Sequence, residues 1–257
     1  MLDSSTPDTT VPHADAPLLS VLMPVYNEAA TLREIIALVR AVPLDLELII
    51  VDNCSTDGTR AILQELLSSG AAEPAEGDGR LRIAFQEENR GKGTSVRRAL
   101  GLARGTWVIV QDADLEYNPQ DFLRLLARAQ RPDKPAVVFG TRLRPGTRTR
   151  KQQPRTAFYW GRLGLSAFFR GLYGRSLSDV ATCYKLMRCD LARSLNLRGS
   201  GFELDFEIAA RLARRGARWV EIPIYYAPRT EHEGKKIKAG RDGLRAVWTL
   251  FKLRFLP

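Results

Sequence analysis

Thr106-Trp107-Val108-Ile109-Val110-Gln111-Asp112-Ala113-Asp114 joins an apolar run to two acidic residues. The run Thr106–Gln111 is short and rich in β-branched residues, which predicts a buried strand. Residues two apart in extended chain point the same way, so the carboxylates of Asp112 and Asp114 are expected to face one site. Such paired oxygens suit Mg²⁺ or Mn²⁺, which usually also bind substrate phosphates. A solvated turn is the plainer alternative, but the position directly after a buried strand favours the metal site.

Apolar runs and helical patterns alternate on both sides of this stretch. Further strands are predicted at Leu19–Val25, Leu46–Val51, Leu81–Phe85 and Ala136–Gly140. Helices are predicted at Thr31–Val42, from Asp57 through Leu67, at Thr94–Arg104, and from about Pro119 onwards. This alternation predicts an α/β fold: one domain with a mostly parallel central sheet flanked by helices. In such sheets, ligands bind at the carboxyl ends of the strands.

The rest of the chain is less regular. Residues 1–17 are rich in Ser, Thr, Pro and Asp and are expected to form a disordered leader, which leaves 18–257 as the folded domain. After residue 140, the sequence predicts a basic loop, three helices and one strand. These are the loop Arg142–Arg155, the helices Ala157–Gly174, Phe202–Arg215 and Asp242–Phe255, and the strand Trp219–Ile224.

The composition limits the possible partners. Lys and Arg number 39 and Asp and Glu 29, so the net charge is +10. A basic excess attracts nucleic acid, anionic lipid head groups or phosphorylated substrates. The charge alone leaves a basic nucleic-acid-binding module as an alternative function of another class. Nucleic acid is not the expected partner, however, because the aromatic residues cluster in one predicted helix instead of alternating with basic residues along a binding face.

Cysteine usage and apolar run lengths suggest where the protein works. Cys54, Cys183 and Cys189 form no CxxC pair, which fits a reducing cytoplasm. No basic segment precedes an apolar one at the amino terminus, so no secretory signal is expected. No apolar run is long enough for a transmembrane helix. Any membrane contact is therefore expected to be peripheral, at the cytoplasmic face.

Two common nucleotide-binding motifs are absent. The first predicted strand leads into Pro24–Glu28 and not into G-x-G-x-x-G, and Gly91–Ser95 lacks the spacing of a phosphate-binding loop. Asp52 ends the second predicted strand, where a carboxylate can accept hydrogen bonds from a ribose or a base. Asp57 is predicted to be the N-cap of the helix that follows.

Four segments, in this order, resemble the signatures of family 2 glycosyltransferases. They are Met23–Glu28, Val51-Asp52 with Ser55–Thr59, Asn89–Gly93, and Asp112–Asp114. The chain is most similar to the polyprenyl-phosphate hexose synthases of the dolichyl-phosphate mannose synthase type. Further matches are Gly140–Arg142, Ser178–Lys185, Phe202–Glu207, and Arg229 with Glu233–Ile237. Together they cover roughly residues 18–250, and their shared order is more specific than any one of them.

The resemblance implies a GT-A fold and inverting transfer of a hexose from a GDP- or UDP-hexose to a polyprenyl phosphate. Residues 18–140 would form the nucleotide-binding half, and 141–257 the acceptor half, with helices that could lie on an anionic membrane surface. The nucleotide would contact Pro24, Tyr26, Glu28, Asp52, Lys92 and Asp112. Asp112 and Asp114 would hold Mg²⁺ or Mn²⁺ and bridge it to the donor diphosphate.

The resemblance also assigns residues to the reaction and to the acceptor. Asp179 would lie near the transferred sugar, so the implied catalytic set is Asp112, Asp114, Asp179 and Arg229. Phosphate and acceptor would be bound by Arg142, Arg229, Lys235 and Lys236. A lipid phosphate is already anionic near neutral pH, so it needs positive charge more than a base. An alcohol acceptor would instead need a carboxylate base, and a soluble or saccharide hydroxyl is the alternative acceptor.

Two features of the sequence each allow two interpretations. Glu207 lies four residues before Arg211, which predicts an ion pair on one helix face, while a direct catalytic role is the alternative. The helix Ala157–Tyr173 mixes aromatic residues with Arg162 and Arg170. This composition suits either a core helix or a helix at a membrane surface.

Overall fold

The computed structural model describes residues 17–77, 79–149, 157–229 and 239–256. Nearly all of the predicted leader lies outside these ranges, as do Lys235 and Lys236.

The predicted strands and helices are all found, with several short elements added. The strands are β1 Leu19–Val25, β2 Leu46–Asp52, β3 Glu73–Pro74, β4 Leu81–Phe85, β5 Trp107–Val110, β6 Val137–Thr141, β7 Arg148–Thr149, β8 Lys185–Arg188, β9 Trp219–Pro223 and β10 Tyr225–Tyr226. The helices are α1 Leu32–Arg40, α2 Thr59–Ser68, α3 Lys92–Leu102, α4 Asp121–Ala129, α5 Ala157–Tyr173, α6 Cys189–Ser194, α7 Leu204–Arg214 and α8 Ala239–Phe255.

Within the described residues, eight strands form one sheet in the order β3-β4-β2-β1-β5-β8-β6-β9. Neighbours in this sheet are parallel except around β8, which runs antiparallel to both β5 and β6. Separately, β7 and β10 form a parallel pair. The predicted α/β fold with a mostly parallel sheet is confirmed.

Alternate residues of the central strands supply the cores on the two faces of the sheet. On β1, Val21 and Met23 belong to one cluster and Leu22 to the other. On β2, Ile50 and Ile49 divide in the same way. This period of two is what a strand covered on both sides requires. The first cluster includes side chains from α1, α2 and α4, and the second includes side chains from α3, α6 and α7.

The helix α5 has a buried side and an exposed side. Phe169 is fully buried in the second core cluster, while Trp160 is 59% exposed. On its inner side, α5 packs against α8. Among the described residues, no helix has the length and apolar character needed to span a bilayer.

Candidate active site

The site forms because neighbouring parallel strands end at the same edge of the sheet. Val25 at the end of β1 pairs with Asp52 at the end of β2, and Leu22 of β1 pairs with Val110 at the end of β5. The segments that follow these strands therefore meet at this edge. They bring Tyr26 and Glu28 close to the acidic pair that follows β5.

Residues of the β2–α2 turn hold the β1–α1 turn in place. The backbone N–H of Glu28 donates to the Thr59 hydroxyl at 2.8 Å, and that of Ala29 donates to the Asp57 carboxylate at 3.1 Å. Asp57 also accepts the backbone N–H of Thr59, the first residue of α2. The predicted N-cap was wrong by one residue, because Gly58, at φ 93°, occupies that position. Asp57 serves both turns at once.

A cavity of about 360 Å³ opens at this edge of the sheet, within the usual range for small-molecule sites. Most of the residues predicted to contact donor or acceptor line it together. They are Pro24, Tyr26, Glu28, Lys92, Asp112, Asp114, Arg142 and Arg229. Three segments of the first half and two of the second thus converge on one space. The cavity also receives Arg241 and Arg245 from α8.

Lys92, the first residue of α3, is largely buried and lies between carboxylates from two directions. Its Nζ lies 2.7 Å from Oδ1 of Asp112 and 3.6 Å from Oδ2 of Asp205. Burial alone would lower the pKa of this ammonium group, but the two carboxylates outweigh burial and raise the pKa above its usual range. Lys92 is therefore a permanent positive charge in the floor of the cavity.

The second acid of the pair faces a different cation. Oδ2 of Asp114 lies 2.7 Å from a terminal nitrogen of Arg229, whose guanidinium also forms two hydrogen bonds to the Glu28 carboxylate at 3.0 and 3.1 Å. Burial and the neighbouring carboxylates of Asp112 and Glu116 nevertheless raise the pKa of Asp114 to about 7. Negative charge at this point is only partly compensated by Arg229.

The donor set around Asp112 and Asp114 suits a divalent cation. Both side chains offer hard carboxylate oxygens, and the raised pKa of Asp114 indicates a place where further positive charge would be stabilising. Across the described ranges, no group of three or more His, Cys, Asp or Glu residues is arranged to hold a metal. Two carboxylates with open coordination positions are typical of Mg²⁺, which keeps water and takes further oxygens from substrate phosphates.

Asp205 extends the charge network behind Lys92. Its Oδ1 lies 2.8 Å from the Nζ of Lys185 on β8, which also donates to the Thr182 carbonyl. Burial would raise the pKa of Asp205, but Lys185 and Lys92 outweigh it and lower the pKa. Charges therefore alternate from Asp112 through Lys92 and Asp205 to Lys185. A row of alternating charges of this kind holds Lys92 in a fixed position.

Arg142 and Asp179 form a buried bidentate pair. Nε and a terminal nitrogen of Arg142 lie 2.6 and 2.8 Å from the two carboxylate oxygens of Asp179. Arg142 lines the cavity, whereas Asp179 is fully buried and is not among the lining residues. The geometry places Asp179 behind Arg142, as its positioning partner. Asp52 is similarly placed: it is fully buried, and accepts the backbone N–H of Ser55 at 3.2 Å.

The glycines of Asn89–Gly93 allow the chain after α6 to approach α3. A Cβ on Gly93 would lie 2.5 Å from the carbonyl oxygen of Gly199. Glu207 fixes the same loop, because its carboxylate accepts the backbone N–H groups of Arg198 and Gly199 at 3.0 and 2.6 Å. It also pairs with Arg211 at 2.7 Å, as predicted. Glu207 is buried and absent from the cavity lining, which assigns it to loop structure.

Sequence reasoning missed five charged residues of the cavity: Glu116, Asp205, Arg241, Asp242 and Arg245. Asp205 lies inside the matched segment Phe202–Glu207, so the motif itself was the available signal. Arg241 and Arg245 had no local signal, because only the packing of α8 against α5 and α7 brings them to the cavity.

Comparison with known proteins identifies the family of this chain and supports its fold. A family model described as "Glycosyl transferase family 2" matches residues 20–195, more than half of the chain. The chain is 28% identical to the undecaprenyl-phosphate mannosyltransferase of Micrococcus luteus over 251 residues, which cover 91% of this chain and 97% of that protein. It is also 28% identical to the polyprenol monophosphomannose synthase of Mycolicibacterium smegmatis, over 81% of this chain and 77% of that protein.

A solved structure shows the same fold. Glucosyl-3-phosphoglycerate synthase from Mycobacterium tuberculosis, crystallised with Mn²⁺, UDP and glucosyl-3-phosphoglycerate, superposes with a TM-score of 0.66. The two chains are 19% identical, and the match covers 94% of this chain and 81% of the other. The likeness confirms the GT-A fold implied by the sequence motifs.

Proposed function

The chain belongs to glycosyl transferase family 2, and on that premise we propose that this glycosyltransferase moves a hexose from a nucleoside-diphosphate sugar to a polyprenyl phosphate. The observation that carries the proposal is the meeting of Asp112 and Asp114 with Lys92 and Arg229 in one cavity. Such a set combines oxygens for a divalent cation with fixed positive charges for phosphate. Mannose is the first candidate sugar, because both named relatives are mannose transferases or synthases.

Asp112 and Asp114 are the residues proposed to hold Mg²⁺ or Mn²⁺. When bound, such a cation would neutralise charge on the donor diphosphate and so make the nucleoside diphosphate a better leaving group. The protein's own contribution is positional. Glu28 orients Arg229, and Asp205 orients Lys92, so that two cations are fixed before the donor arrives.

The proposed reaction is a single displacement at the anomeric carbon. A phosphate oxygen of the acceptor forms the new bond to that carbon while the bond to the donor diphosphate breaks, which inverts the configuration. Since the acceptor is anionic, its approach requires positive charge more than a general base. Arg142, held by Asp179, and Arg241 and Arg245 of α8 provide cavity-lining cations on the second-half side. Lys235 and Lys236 are proposed to join them.

Reaction at the cytoplasmic face of a membrane is part of the same proposal. The acceptor class is a lipid, and the chain carries a net charge of +10, which favours an anionic bilayer. The three cysteines, Cys54, Cys183 and Cys189, form no CxxC pair, which fits a reducing compartment.

The test is an acceptor and donor screen. Purified protein is incubated with radiolabelled GDP-mannose, GDP-glucose, UDP-glucose or UDP-N-acetylglucosamine, with polyprenyl phosphate in detergent and with Mg²⁺, Mn²⁺ or chelator. We expect label from one donor to enter the organic phase only when metal is present. Label transferred to an added saccharide, and never to the lipid, would favour the alternative hydroxyl acceptor and contradict the proposal.

A further inference from the structure

The last helix, α8, carries an apolar face that packing within the described residues leaves uncovered. Its inner side is buried: Ala246 and Leu250 belong to the second core cluster. The opposite side exposes the large side chains at positions 244, 247, 248, 251 and 255. These positions are separated by helical spacing and share one side of the helix. Leu244 is 72% exposed, Trp248 56% and Phe255 57%.

The exposed face is aromatic and firmly supported. The Trp248 and Phe251 rings are stacked with their centroids 6.1 Å apart, and the Phe251 and Phe255 centroids are 4.9 Å apart. From the other side, the Tyr173 hydroxyl donates to the carbonyl of Leu250 at 2.8 Å. The apolar side chains are therefore presented outward on a helix that is fixed to α5.

Basic residues flank this apolar face. Arg241, Arg245 and Lys252 are exposed and lie along one border of it by helical geometry. The single acidic residue of the helix is Asp242, whose side chain is only 9% exposed. A helix with an aromatic face and a basic border has the composition of helices that lie in the plane of a membrane interface.

The same helix borders the cavity described above. Arg241 and Arg245 line that cavity at the amino-terminal end of α8, and the apolar face begins at Leu244. A partner that contacts the outer face of α8 would therefore lie next to the cavity. This continuity connects the apolar face to the site and not to a remote part of the molecule.

We propose that the outer face of α8 is the surface through which this chain lies on an anionic lipid bilayer. Leu244, Trp248, Phe251 and Phe255 enter the boundary between head groups and acyl chains, and the basic border contacts anionic head groups. A second copy of the chain fits less well, because symmetric pairing through this face would bring the basic borders of two molecules with net charge +10 together. The lipid acceptor rests on the proposed function; the binding surface does not.

The test is vesicle flotation of the full chain. Vesicles contain phosphatidylcholine alone or with about a third phosphatidylglycerol. We expect the wild type to float with the anionic vesicles, and the double variant Trp248→Glu, Phe251→Glu to lose at least about tenfold in partition coefficient. Leu38→Glu is the matched control, since Leu38 is a 39% exposed apolar residue on α1, and should bind like the wild type. Circular dichroism and the melting temperature establish that each variant is folded.

A milder variant and a soluble acceptor complete the test. Lys252→Glu leaves the apolar face intact and should weaken binding to anionic vesicles more than to neutral ones. The double variant should keep the wild-type transfer rate to a short, water-soluble prenyl phosphate, but fall about tenfold with a long-chain acceptor in vesicles.

Two results would overturn the inference. One is equal flotation of the wild type and the double variant. The other is a wild type that does not bind vesicles but forms a dimer, detected by light scattering, that the double variant does not form. That result would identify a second copy of the chain as the partner of the outer face of α8. If no prenyl phosphate is glycosylated by the wild type, the proposed function fails, and flotation still decides the membrane surface.

Discussion

Asp114 carries a negative charge that its surroundings compensate only in part. We expect Asp114→Asn to lower the transfer rate about 100-fold to 1,000-fold, because an amide cannot supply the charge that a divalent cation needs. Calorimetry provides a readout other than activity. Mn²⁺ should strengthen nucleoside-diphosphate binding to the wild type and not to the variant. The control is Asp190→Asn, an exposed carboxylate outside the cavity lining that pairs with Arg188 and accepts the backbone N–H of Leu191. A variant whose nucleotide affinity still responds to Mn²⁺ would exclude Asp114 as a ligand.

Glu47 offers a residue-scale test of stability. Its carboxylate is fully buried on β2 and accepts hydrogen bonds from the Ser20 hydroxyl, the backbone N–H of Arg104 and the guanidinium of Arg82. Burial would raise its pKa, but these partners outweigh burial and lower it below 4.5. We expect Glu47→Gln to cost roughly 3 kcal/mol at pH 7, because Arg82 would lose its buried partner.

The stability that Glu47 contributes is expected to depend on pH in a definite direction. A lowered folded-state pKa means that the ionised Glu47 contributes its full stability above the unfolded value of 4.5. The contribution is lost as pH falls through the folded-state pKa, so the wild type and Glu47→Gln should converge in urea unfolding below that pH. The exposed Glu65, paired with Arg33, is the control, and Glu65→Gln should change stability by less than about 0.5 kcal/mol. A constant difference between pH 7 and acid would contradict the assignment.

Single residues also show how far sequence reasoning reached. The shared direction of Asp112 and Asp114 followed from the period of an extended chain, and both line the cavity. The burial of Asp52 and Asp179 did not follow from position. Asp52 turns into its own loop to accept the N–H of Ser55, and Asp179 pairs with Arg142, 37 residues away in sequence. The partner of Asp179 depends on a tertiary contact, and that of Asp52 on the conformation of its own loop.

At the scale of elements, helix α3 contains two glycines, Gly93 and Gly101, that serve as a test and its control. A Cβ on Gly93 would lie 2.5 Å from the Gly199 oxygen, whereas a Cβ on Gly101 would meet nothing within 4 Å. We expect Gly93→Ala to displace the loop before α7, to cost about 1–3 kcal/mol, and to raise the KM for the donor. Gly101→Ala should instead stabilise by up to about 1 kcal/mol and leave KM unchanged. Similar KM values for both variants would mean that the loop does not shape the donor site.

Sequence reasoning missed the strand β8 for a physical reason. β8 spans only Lys185–Arg188 and has a charged residue at each end, so it shows neither a long apolar run nor alternation. Lys185 is nevertheless buried, because Asp205 and the Thr182 carbonyl bind its ammonium group. By contrast, β1 and β2 are apolar along nearly their whole length and were predicted almost to the residue. Length and composition reveal buried parallel strands, but not a short strand held by an ion pair.

At the scale of the whole molecule, both core clusters depend on one sheet. β1 and β2 each contribute to the clusters on both faces. We therefore expect a single unfolding transition in which tryptophan fluorescence, from Trp107 on β5 and Trp219 on β9 among others, coincides with far-ultraviolet circular dichroism. Nucleoside diphosphate with Mn²⁺ at 100 times its Kd should stabilise the entire transition by about 2.7 kcal/mol. Two separate transitions, only one of which responds to nucleotide, would show instead that the halves unfold independently.

The place of β8 in the sheet has a consequence for protein synthesis. Among the described strands, β6 pairs only with β8 and β9, so it has no neighbour until residues made later arrive. From Thr141 to Lys185 the ribosome adds 185 − 141 = 44 residues, which takes roughly two to nine seconds at about 5–20 residues per second. During that interval the open edge of β5 and the apolar Val137–Phe139 are both unsatisfied in the nascent chain. We expect a chaperone that recognises short apolar segments to bind there, and to be released once Arg188 has left the exit tunnel.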